Sequence, residues 1–475
     1  MNHCPATWHR PALALILLVI VAATSSFAPQ GETEEQRFFR AADETLAQVA
    51  RITGLAPKHP IARSLKSREE IRAYIIAHLH EDLPPEKIRA DQLALEKFGL
   101  IPKGFPLEKF TVDLLTEQVA ALYDPKKKEF YIADWIPVEL QRTIMAHELT
   151  HALQDQYFDL DKWLKEVRTN DDALLARTAV AEGSATAVML EYLLAPQGKQ
   201  VQDLSDAEEL VRAGMLGQLE TESAFGQAPR YLREALIFPY LDGVSFTQRF
   251  LARHGWKTFD TVFKNPPASS QEILHPEKYF DGARREAVSL PDLTKLVPPG
   301  WKRLDENVAG EFTTAAILKE FLDEKTATSS ARPGSIGASD WSGDRYQVFE
   351  NTAAGRTMVV FRTRWATPSA AQQFFEDYTR LLPKKYRRLQ KTSSRPNRFV
   401  ARTEDLGVFV RARGREVLVV EGANPATFAK IERAVWPAKK PVPRAALRVP
   451  SSSSSVGLSP AGSSAAISAA SAPLR

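Results

Sequence analysis

Cysteine is almost absent from this chain, which has one cysteine, five methionines and nine histidines in 475 residues. The single cysteine, Cys4, precedes the first apolar run, so it is not placed for lipid modification at the end of that run. We expect Cys4 to be removed with that run, which leaves a mature protein without a disulfide bond. The stability of the mature protein must then come from the burial of apolar side chains and from any metal that it binds.

Long apolar runs are also scarce. Pro11 to Ala23 is an unbroken apolar run followed by Thr-Ser-Ser. This pattern is typical of a secretory signal peptide and is too short to span a bilayer comfortably. We assign residues 1–28 to the signal, leave cleavage after Ala23, Ser25 or Ala28 open, and keep an uncleaved membrane anchor as the alternative. No later run approaches the roughly 18 apolar residues of a membrane span, which argues against an intramembrane protease. The prediction is a secreted or periplasmic protein with no membrane span after signal removal.

Neither basic nor acidic residues are in large excess. The chain has 62 basic and 58 acidic residues, a net charge of +4, and a charged fraction of 25%. A small charge spread over this length does not suggest a nucleic-acid partner. The composition is that of an ordinary globular protein, and the length predicts two or three domains.

Residues His147-Glu148-Leu-Thr-His151 carry the strongest chemical signal in the chain. Two histidines four residues apart lie on one face of a helix, one turn from each other. Their imidazoles can bind one Zn²⁺ together, while Glu148 lies beside the metal without binding it. A carboxylate there can take a proton from a water whose pKa the metal lowers to about 7. The motif therefore predicts metal-assisted peptide hydrolysis, and a helix that carries these letters by chance is the alternative.

The third metal ligand is predicted to be Glu182. It lies in a predicted helix, Asp172 to Leu194, among small residues that would let the motif helix approach closely. Catalytic zinc sites often combine two histidines with one glutamate and leave one position for water. Gly183 costs about 1 kcal/mol relative to alanine inside a helix, which indicates a packing or functional reason for it. The rival carboxylates are those of Asp155, Asp159, Asp171 and Asp172.

The motif followed by Glu182 resembles the gluzincin pattern of zinc metallopeptidases. The strings His-Glu-Leu-Thr-His-Ala-Leu-Gln-Asp-Gln (147–156) and Ala-Glu-Gly-Ser-Ala-Thr (181–186) are also similar to an exported, poorly characterised bacterial branch of predicted gluzincins. The resemblance covers roughly residues 95–285. It implies His147, His151 and Glu182 as zinc ligands and Glu148 as general base. The metzincin alternative is disfavoured, because no third histidine follows His151 at the spacing of that group.

A zinc peptidase also needs a donor for the oxyanion that forms on the attacked carbonyl, and His or Tyr can serve. Tyr240 and His275 are the two candidates. The alternatives are a packed aromatic for Tyr240 and a capping role for His275. The Asp124-Pro turn between two apolar runs predicts a β-hairpin just before the motif helix, and a strand there can hold an extended substrate by main-chain pairing.

The predicted fold class is α+β: a mainly helical, zincin-like catalytic domain with the hairpin beside the site, and a C-terminal α+β sandwich with an antiparallel sheet. In the C-terminal unit we predict strands at 357–365, 398–403, 407–413 and 416–421 and helices at 368–382 and 425–436. This unit contains no histidine, so we assign it substrate docking or packing and no catalysis. The predicted segments are a signal peptide (1–28), an N-terminal helical segment (29–99), the catalytic domain (100–290), a linker (291–340), the C-terminal domain (341–437) and a disordered Ser/Ala/Pro-rich tail (438–475).

The sequence thus predicts an exported zinc-dependent metallopeptidase whose partner is a peptide or protein substrate. The alternative is a non-catalytic, zinc-containing scaffold associated with the cell envelope. An intact Glu148 favours the enzyme, because a scaffold has no need of a base beside its metal. The sequence leaves the cleavage specificity and the oligomeric state open.

Overall fold

The computed structural model describes residues 33–82, 84–118, 121–216, 224–282, 286–322 and 338–438. The predicted signal peptide (1–28) lies outside these residues, as does the predicted tail after residue 438. The described residues up to Trp436 form one compact unit. The fold is α+β, with a largely helical N-terminal region and a C-terminal antiparallel sheet, as predicted.

The N-terminal region contains most of the helices. Its helices and strands, in chain order, are α1 (Glu34–Thr53), β1 (Ala62–Lys66), α2 (Arg68–Asp82), α3 (Pro85–Phe98), α4 (Leu107–Gln118), β2 (Ala121–Asp124), β3 (Glu129–Ala133), α5 (Val138–Phe158), α6 (Leu160–Lys165), α7 (Asp171–Leu194), α8 (Ala207–Leu216), α9 (Ala224–Gln227), α10 (Arg230–His254), α11 (Asp260–Lys264), α12 (Ser270–Leu274) and α13 (Pro276–Phe280).

The C-terminal region contains the larger sheet. Its elements are β4 (Lys302–Asn307), α14 (Gly310–Phe321), β5 (Trp341–Asn351), β6 (Arg356–Trp365), α15 (Pro368–Lys385), β7 (Gln390–Arg395), β8 (Arg398–Thr403), β9 (Leu406–Arg413), β10 (Glu416–Ala423) and α16 (Pro425–Val435).

Helix α1 packs against α5, the helix that carries the His-Glu motif. A capping box between Thr33 and Gln36 begins α1, and Gly54, with φ of 74°, ends it. The buried face of α1 joins a core with the hairpin and α5 that includes Phe38, Phe130 and Leu149. Burial of this apolar face packs α1 against α5 and stabilises the position of α5.

The predicted hairpin before the motif helix is confirmed. Strands β2 and β3 pair antiparallel, and the Asp124 carboxylate accepts hydrogen bonds from the amides of Lys126 and Lys127 in the turn, at 2.9 and 3.1 Å. This is the side-chain turn that Asp favours. Strand β1 pairs parallel to β3, so the sheet order is β1-β3-β2 and β2 lies at an edge. Strand β1 differs from the predicted all-helical N-terminal segment, because its short run Ala-Arg-Ser-Leu-Lys lacks the clear alternation that indicates a strand.

The C-terminal sheet has seven antiparallel strands in the order β4-β5-β6-β10-β9-β8-β7. The four predicted strands correspond to β6, β8, β9 and β10, and the two predicted helices to α15 and α16. Side chains on one face of the sheet pack with α15, and those on the other face pack with α16. The sheet is therefore covered on both faces, which is why its central strands are apolar on both sides.

Two features of the C-terminal region differ from the sequence-based expectation. Residues 302–321, which were assigned to a linker, form β4 and α14. The sheet also shares its core with the helical region: the Phe98 ring lies edge-on to those of Tyr346 and Phe361, with centroids 5.5 and 5.4 Å apart. The core on the α15 side of the sheet is therefore shared with the helical region, whereas the core on the α16 side is formed almost entirely by residues of the C-terminal region.

One described helical stretch, Asp171–Gln197, is long and apolar enough to cross a membrane by length and composition. Most of its apolar window, 83%, is buried inside the protein. This stretch contains α7, which is the central helix of the N-terminal region.

A buried ion cluster joins α3, α7 and β4. The Lys87 ammonium lies 2.6 Å from Asp91, 2.8 Å from Asp305 and 3.4 Å from Asp171. Burial alone would lower the pKa of Lys87, but the three carboxylates outweigh it and raise the pKa above its ordinary value. Burial raises the pKa of Asp91 well above its ordinary value, although Lys87 opposes this. The cluster depends on Lys87 as its cation.

We expect Lys87→Met to lower the free energy of unfolding by about 3–5 kcal/mol, because three neighbouring carboxylates would lose the charge that compensates them. The deficit should be smaller at pH 5 than at pH 8, since burial raises the pKa values of Asp91 and Asp171, which can then bind protons in the folded state. Chemical denaturation at the two pH values measures both effects. The control Lys109→Met removes an exposed ion pair with Asp113 and should change stability by less than about 1 kcal/mol. Equal stability of Lys87→Met and the wild type would contradict this account.

Candidate metal centre

Two helices bring the proposed metal ligands together. His147 and His151 lie one turn apart on α5, and Glu182 lies in the middle of α7, which packs against α5. All three residues are buried, with exposed fractions of 2%, 0% and 2%. Polar groups buried this deeply require polar partners, and here they face one another.

Three donor atoms converge at this point. The Nε2 atoms of His147 and His151 are 3.1 Å apart, and Glu182 Oε2 lies 3.1 Å from the first and 3.4 Å from the second. Four-coordinate zinc with bonds of 2.0–2.1 Å places neighbouring ligand atoms roughly 3.3 Å apart. Two imidazoles and one carboxylate at these distances fit a single zinc ion with one position left for water.

The charges of the cluster also suit a cation. Burial alone would raise the pKa of Glu182, but the two imidazoles outweigh it and hold the pKa well below its ordinary value. Burial lowers the pKa of His147, although the hydrogen bond to Glu182 opposes this. An ionised carboxylate and a neutral imidazole are the protonation states in which these groups bind zinc.

Glu148 is fully buried beside the donor cluster. Its Oε2 accepts a hydrogen bond of 2.9 Å from the backbone amide of Tyr123 on β2. This hydrogen bond connects the proposed base to the edge strand of the hairpin.

The rival carboxylates have other partners. Asp155 accepts hydrogen bonds from the Tyr123 hydroxyl, the Lys128 ammonium and the Leu160 amide. Asp171 belongs to the Lys87 cluster, Asp172 binds Ser270, and Asp159 is an exposed residue at the end of α5. Among the described residues, Glu182 is the acidic side chain that groups with both histidines.

Tyr240 lies beside the site. It is buried on α10, and its ring stacks on that of His147 with centroids 6.1 Å apart and planes inclined by 23°. The structure thus brings one of the two candidate oxyanion donors next to a proposed metal ligand.

Close contact between α7 and α10 makes this placement possible. A Cβ atom on Gly183 would lie 2.1 Å from the carbonyl carbon of Gly243, far inside van der Waals contact. The small residues around Glu182 are predicted to admit the motif helix, whereas the close contact at Gly183 is with Gly243 on α10. The absence of a side chain at Gly183 is a packing requirement next to Glu182.

We expect Gly183→Ala to lower the free energy of unfolding by about 2–3 kcal/mol or more, because backbone atoms must move to admit the methyl group. Zinc affinity should fall with it, since Glu182 is the adjacent residue. Gly214→Ala in α8 is the control: no atom lies within 4 Å of the added carbon, and alanine should stabilise the helix by up to about 1 kcal/mol. Thermal unfolding and zinc titration test the pair, and a neutral Gly183→Ala would contradict the close helix contact.

His275 is not brought to the cluster, which corrects the second oxyanion assignment. Its Nε2 lies 2.7 Å from Glu311 Oε1, and its Nδ1 lies 3.7 Å from Glu277. Helix α12, just before it, binds the start of α7, where the Ser270 amide donates to Asp172 at 2.9 Å. Asp172 precedes Glu182 by ten residues on the same helix, which corresponds to roughly 15 Å. His275 therefore joins α13 to the C-terminal region instead of lining the site.

Two polar residues next to the donors were not singled out from sequence. The carboxamide of Gln154 lies between the His151 imidazole and the Ser184 hydroxyl. The available signal was spacing: Gln154 is three residues after His151, and therefore on the same face of α5. Ser184 is two residues after Glu182, and its relation to α5 could not be seen in the sequence.

Comparison with known proteins adds one match. A family model described as Domain of unknown function (DUF8575) matches residues 296–432. The matched segment runs from just before β4 into α16 and contains none of the proposed metal ligands. No curated protein and no solved structure matches the chain.

Proposed function

We propose that this protein is an exported zinc-dependent metallopeptidase that hydrolyses peptide bonds. The observation that carries the proposal is the convergence of two imidazole nitrogens and one carboxylate oxygen, 3.1–3.4 Å apart. A second carboxylate, that of Glu148, is on the residue that follows His147. This donor set is the one that catalytic zinc sites use when they keep a position for water.

Each residue of the site has a distinct role in this proposal. His147, His151 and Glu182 hold the metal, and zinc would supply Lewis-acid activation of the attacking water. Glu148 takes the proton of that water and passes it to the leaving amine. This transfer requires one carboxylate within reach of both the water and the amine. Tyr240 is the candidate donor to the oxyanion, and its place against the His147 ring supports that role.

The hairpin is the candidate surface for the substrate backbone. Strand β2 lies at the edge of its three-stranded sheet, and its Tyr123 amide contacts Glu148. An extended peptide that pairs with such an edge is held by main-chain hydrogen bonds next to the base.

Export is part of the proposal because of residues 1–28, whose pattern is that of a signal peptide. A secreted or periplasmic location follows, with an uncleaved anchor as the alternative. Fractionation of the expressing cells, together with sequencing of the mature N-terminus, distinguishes the two.

A non-catalytic zinc scaffold is the second candidate, and burial is the observation that favours it. Both histidines, Glu182 and Glu148 are at most 2% exposed, and a structural zinc site is closed to solvent. The presence of Glu148 beside the donors favours the enzyme, because a scaffold does not need a base there.

Metal analysis combined with an activity assay tests the proposal. The purified mature chain should carry close to one zinc ion and should degrade an unfolded, fluorescently labelled protein. A chelator should abolish the degradation, and added Zn²⁺ should restore it. A protein that holds no zinc under any loading condition would overturn the proposed site.

A further inference from the structure

We infer that Gln154, held in orientation by Ser184, is a positioning residue that presents His151 to the metal through its Nε2 atom. The inference rests on the proposed zinc site and goes further, because it assigns a role to residues outside the ligand set. Three hydrogen bonds carry it: Ser184 Oγ to the Val180 carbonyl at 2.6 Å, Gln154 Nε2 to Ser184 Oγ at 2.8 Å, and His151 Nδ1 to Gln154 Oε1 at 3.2 Å.

The direction of each bond follows from the one before it. A backbone carbonyl only accepts, so the Ser184 hydroxyl uses its single proton on the Val180 oxygen. The Ser184 oxygen then accepts from Gln154, and its partner there must be the amide nitrogen. The carboxamide oxygen of Gln154 is thereby turned towards His151.

His151 is constrained by this chain to one tautomer. The Gln154 oxygen accepts a proton, so the imidazole must carry its proton on Nδ1. The lone pair of Nε2 then points to His147 Nε2 and Glu182 Oε2, where the metal would lie. Metal-bound histidines characteristically donate their second N–H to such an acceptor, which orients the ring and raises its basicity.

The chain also joins the two helices that carry the ligands. Gln154 lies on α5 three residues after His151, and Ser184 lies on α7 two residues after Glu182. All of these side chains are buried, with exposed fractions of 0–3%. The same hydrogen bonds that orient His151 therefore also fix the spacing between the helices at the level of the site.

The two histidines differ in how they are held. His147 Nδ1 has no hydrogen-bond partner among the described residues, and its ring instead stacks on Tyr240. His151 is the histidine whose ring has a polar anchor. We therefore expect zinc affinity to depend on Gln154 specifically, and to a smaller degree on Ser184.

The test compares Gln154→Met, which has a similar volume but neither bonds to Ser184 nor accepts from His151, with Gln154→Glu, which keeps an acceptor. Gln154→Met should raise the zinc Kd by about 10- to 100-fold in competition with a chromophoric chelator. Gln154→Glu should restore the Kd to within a few-fold of wild type, because the Ser184 hydroxyl can rotate to donate to it. Ser184→Ala should give an intermediate value.

Gln141→Met is the matched control. Gln141 is a fully buried glutamine on the same helix, and its amide donates to the carbonyls of Ala133 and Ile136. Its replacement should lower the stability of the metal-free protein, as Gln154→Met does, but should leave the zinc Kd of the folded protein unchanged. This comparison separates a positioning role from general loss of stability.

The outcomes are distinguishable. If wild type binds zinc and Gln154→Met binds it equally well, the positioning role is refuted and the proposed function stands. If Gln141→Met weakens zinc binding as much as Gln154→Met, the effect is one of stability and the positioning role is again refuted. If wild type binds no zinc, the proposed function itself fails.

Discussion

Glu148→Gln is expected to retain zinc and the fold but to lose peptide hydrolysis by about 10²- to 10⁴-fold in kcat/KM. The amide oxygen of glutamine can still accept the hydrogen bond from the Tyr123 backbone, so the hairpin and α5 should keep their positions. The amide cannot take a proton from water, so the loss should fall on the chemical step. Steady-state kinetics on a cleaved peptide and zinc analysis of the same preparation measure the two properties.

Glu191→Gln is the matched control for this result. Glu191 is a buried glutamate on α7 that accepts from the Trp256 indole and the Val201 amide, away from the donor cluster. Its replacement should leave kcat/KM within a few-fold of wild type. If Glu148→Gln and Glu191→Gln retain the same activity, Glu148 is not the base.

The second large effect is expected on metal binding. Glu182→Gln and His151→Ala should each reduce zinc from close to one ion per chain to a small fraction, because a three-ligand site loses one of its protein donors. In Glu182→Gln the ionised oxygen is replaced by a weak neutral ligand of the same shape, so the comparison isolates the charge. Inductively coupled plasma analysis after gel filtration measures the stoichiometry.

Asp155→Asn is the informative comparison for the ligand assignment. Asp155 was a rival carboxylate in the sequence, and its oxygens bind Tyr123, Lys128 and the Leu160 amide. The variant should be less stable but should still bind one zinc ion. Full zinc occupancy in Glu182→Gln together with loss in Asp155→Asn would exchange the roles of the two residues.

The motif could be predicted because its geometry is local. His147 and His151 lie on one helix, and the helical period alone places them on the same face. The choice of Glu182 among several carboxylates could not be settled in the same way. Asp155 and Asp171 could be excluded as metal ligands only from tertiary contacts, which show that they bind other groups. The partnership of Gln154 with Ser184 depends on how α5 and α7 pack, which a pattern within one helix does not contain.

Tyr240 and His275 illustrate the limit of inference across long separations. Tyr240 reaches the site because α10 crosses α7 at the glycine pair Gly183 and Gly243, a contact between backbones far apart in sequence. His275 has acidic neighbours in sequence, but its partner is Glu311 on α14, in the segment assigned to a linker. The sequence alone did not favour one of these two candidate oxyanion donors over the other. The packing of α10 places Tyr240 beside the site, and the packing of α12 places His275 away from it.

The strands that contain runs of apolar residues could be predicted from sequence, and the strands that are mostly polar could not. Strand β6 and the three strands from β8 to β10 carry runs of valine, leucine and phenylalanine. Strands β4, β5 and β7 are rich in charged or small polar residues, and β4 and β7 lie at the two edges of the sheet. Such strands form because neighbours pair with them, so their own residue preferences say little.

The most direct test of the central claim is digestion of an unbiased peptide library by zinc-loaded wild type and by Glu148→Gln, read by mass spectrometry. The account predicts new peptide termini with the wild type that are absent with Glu148→Gln and with chelated wild type. If zinc-loaded wild type leaves the library intact, the site is a structural zinc centre and the protein is a scaffold.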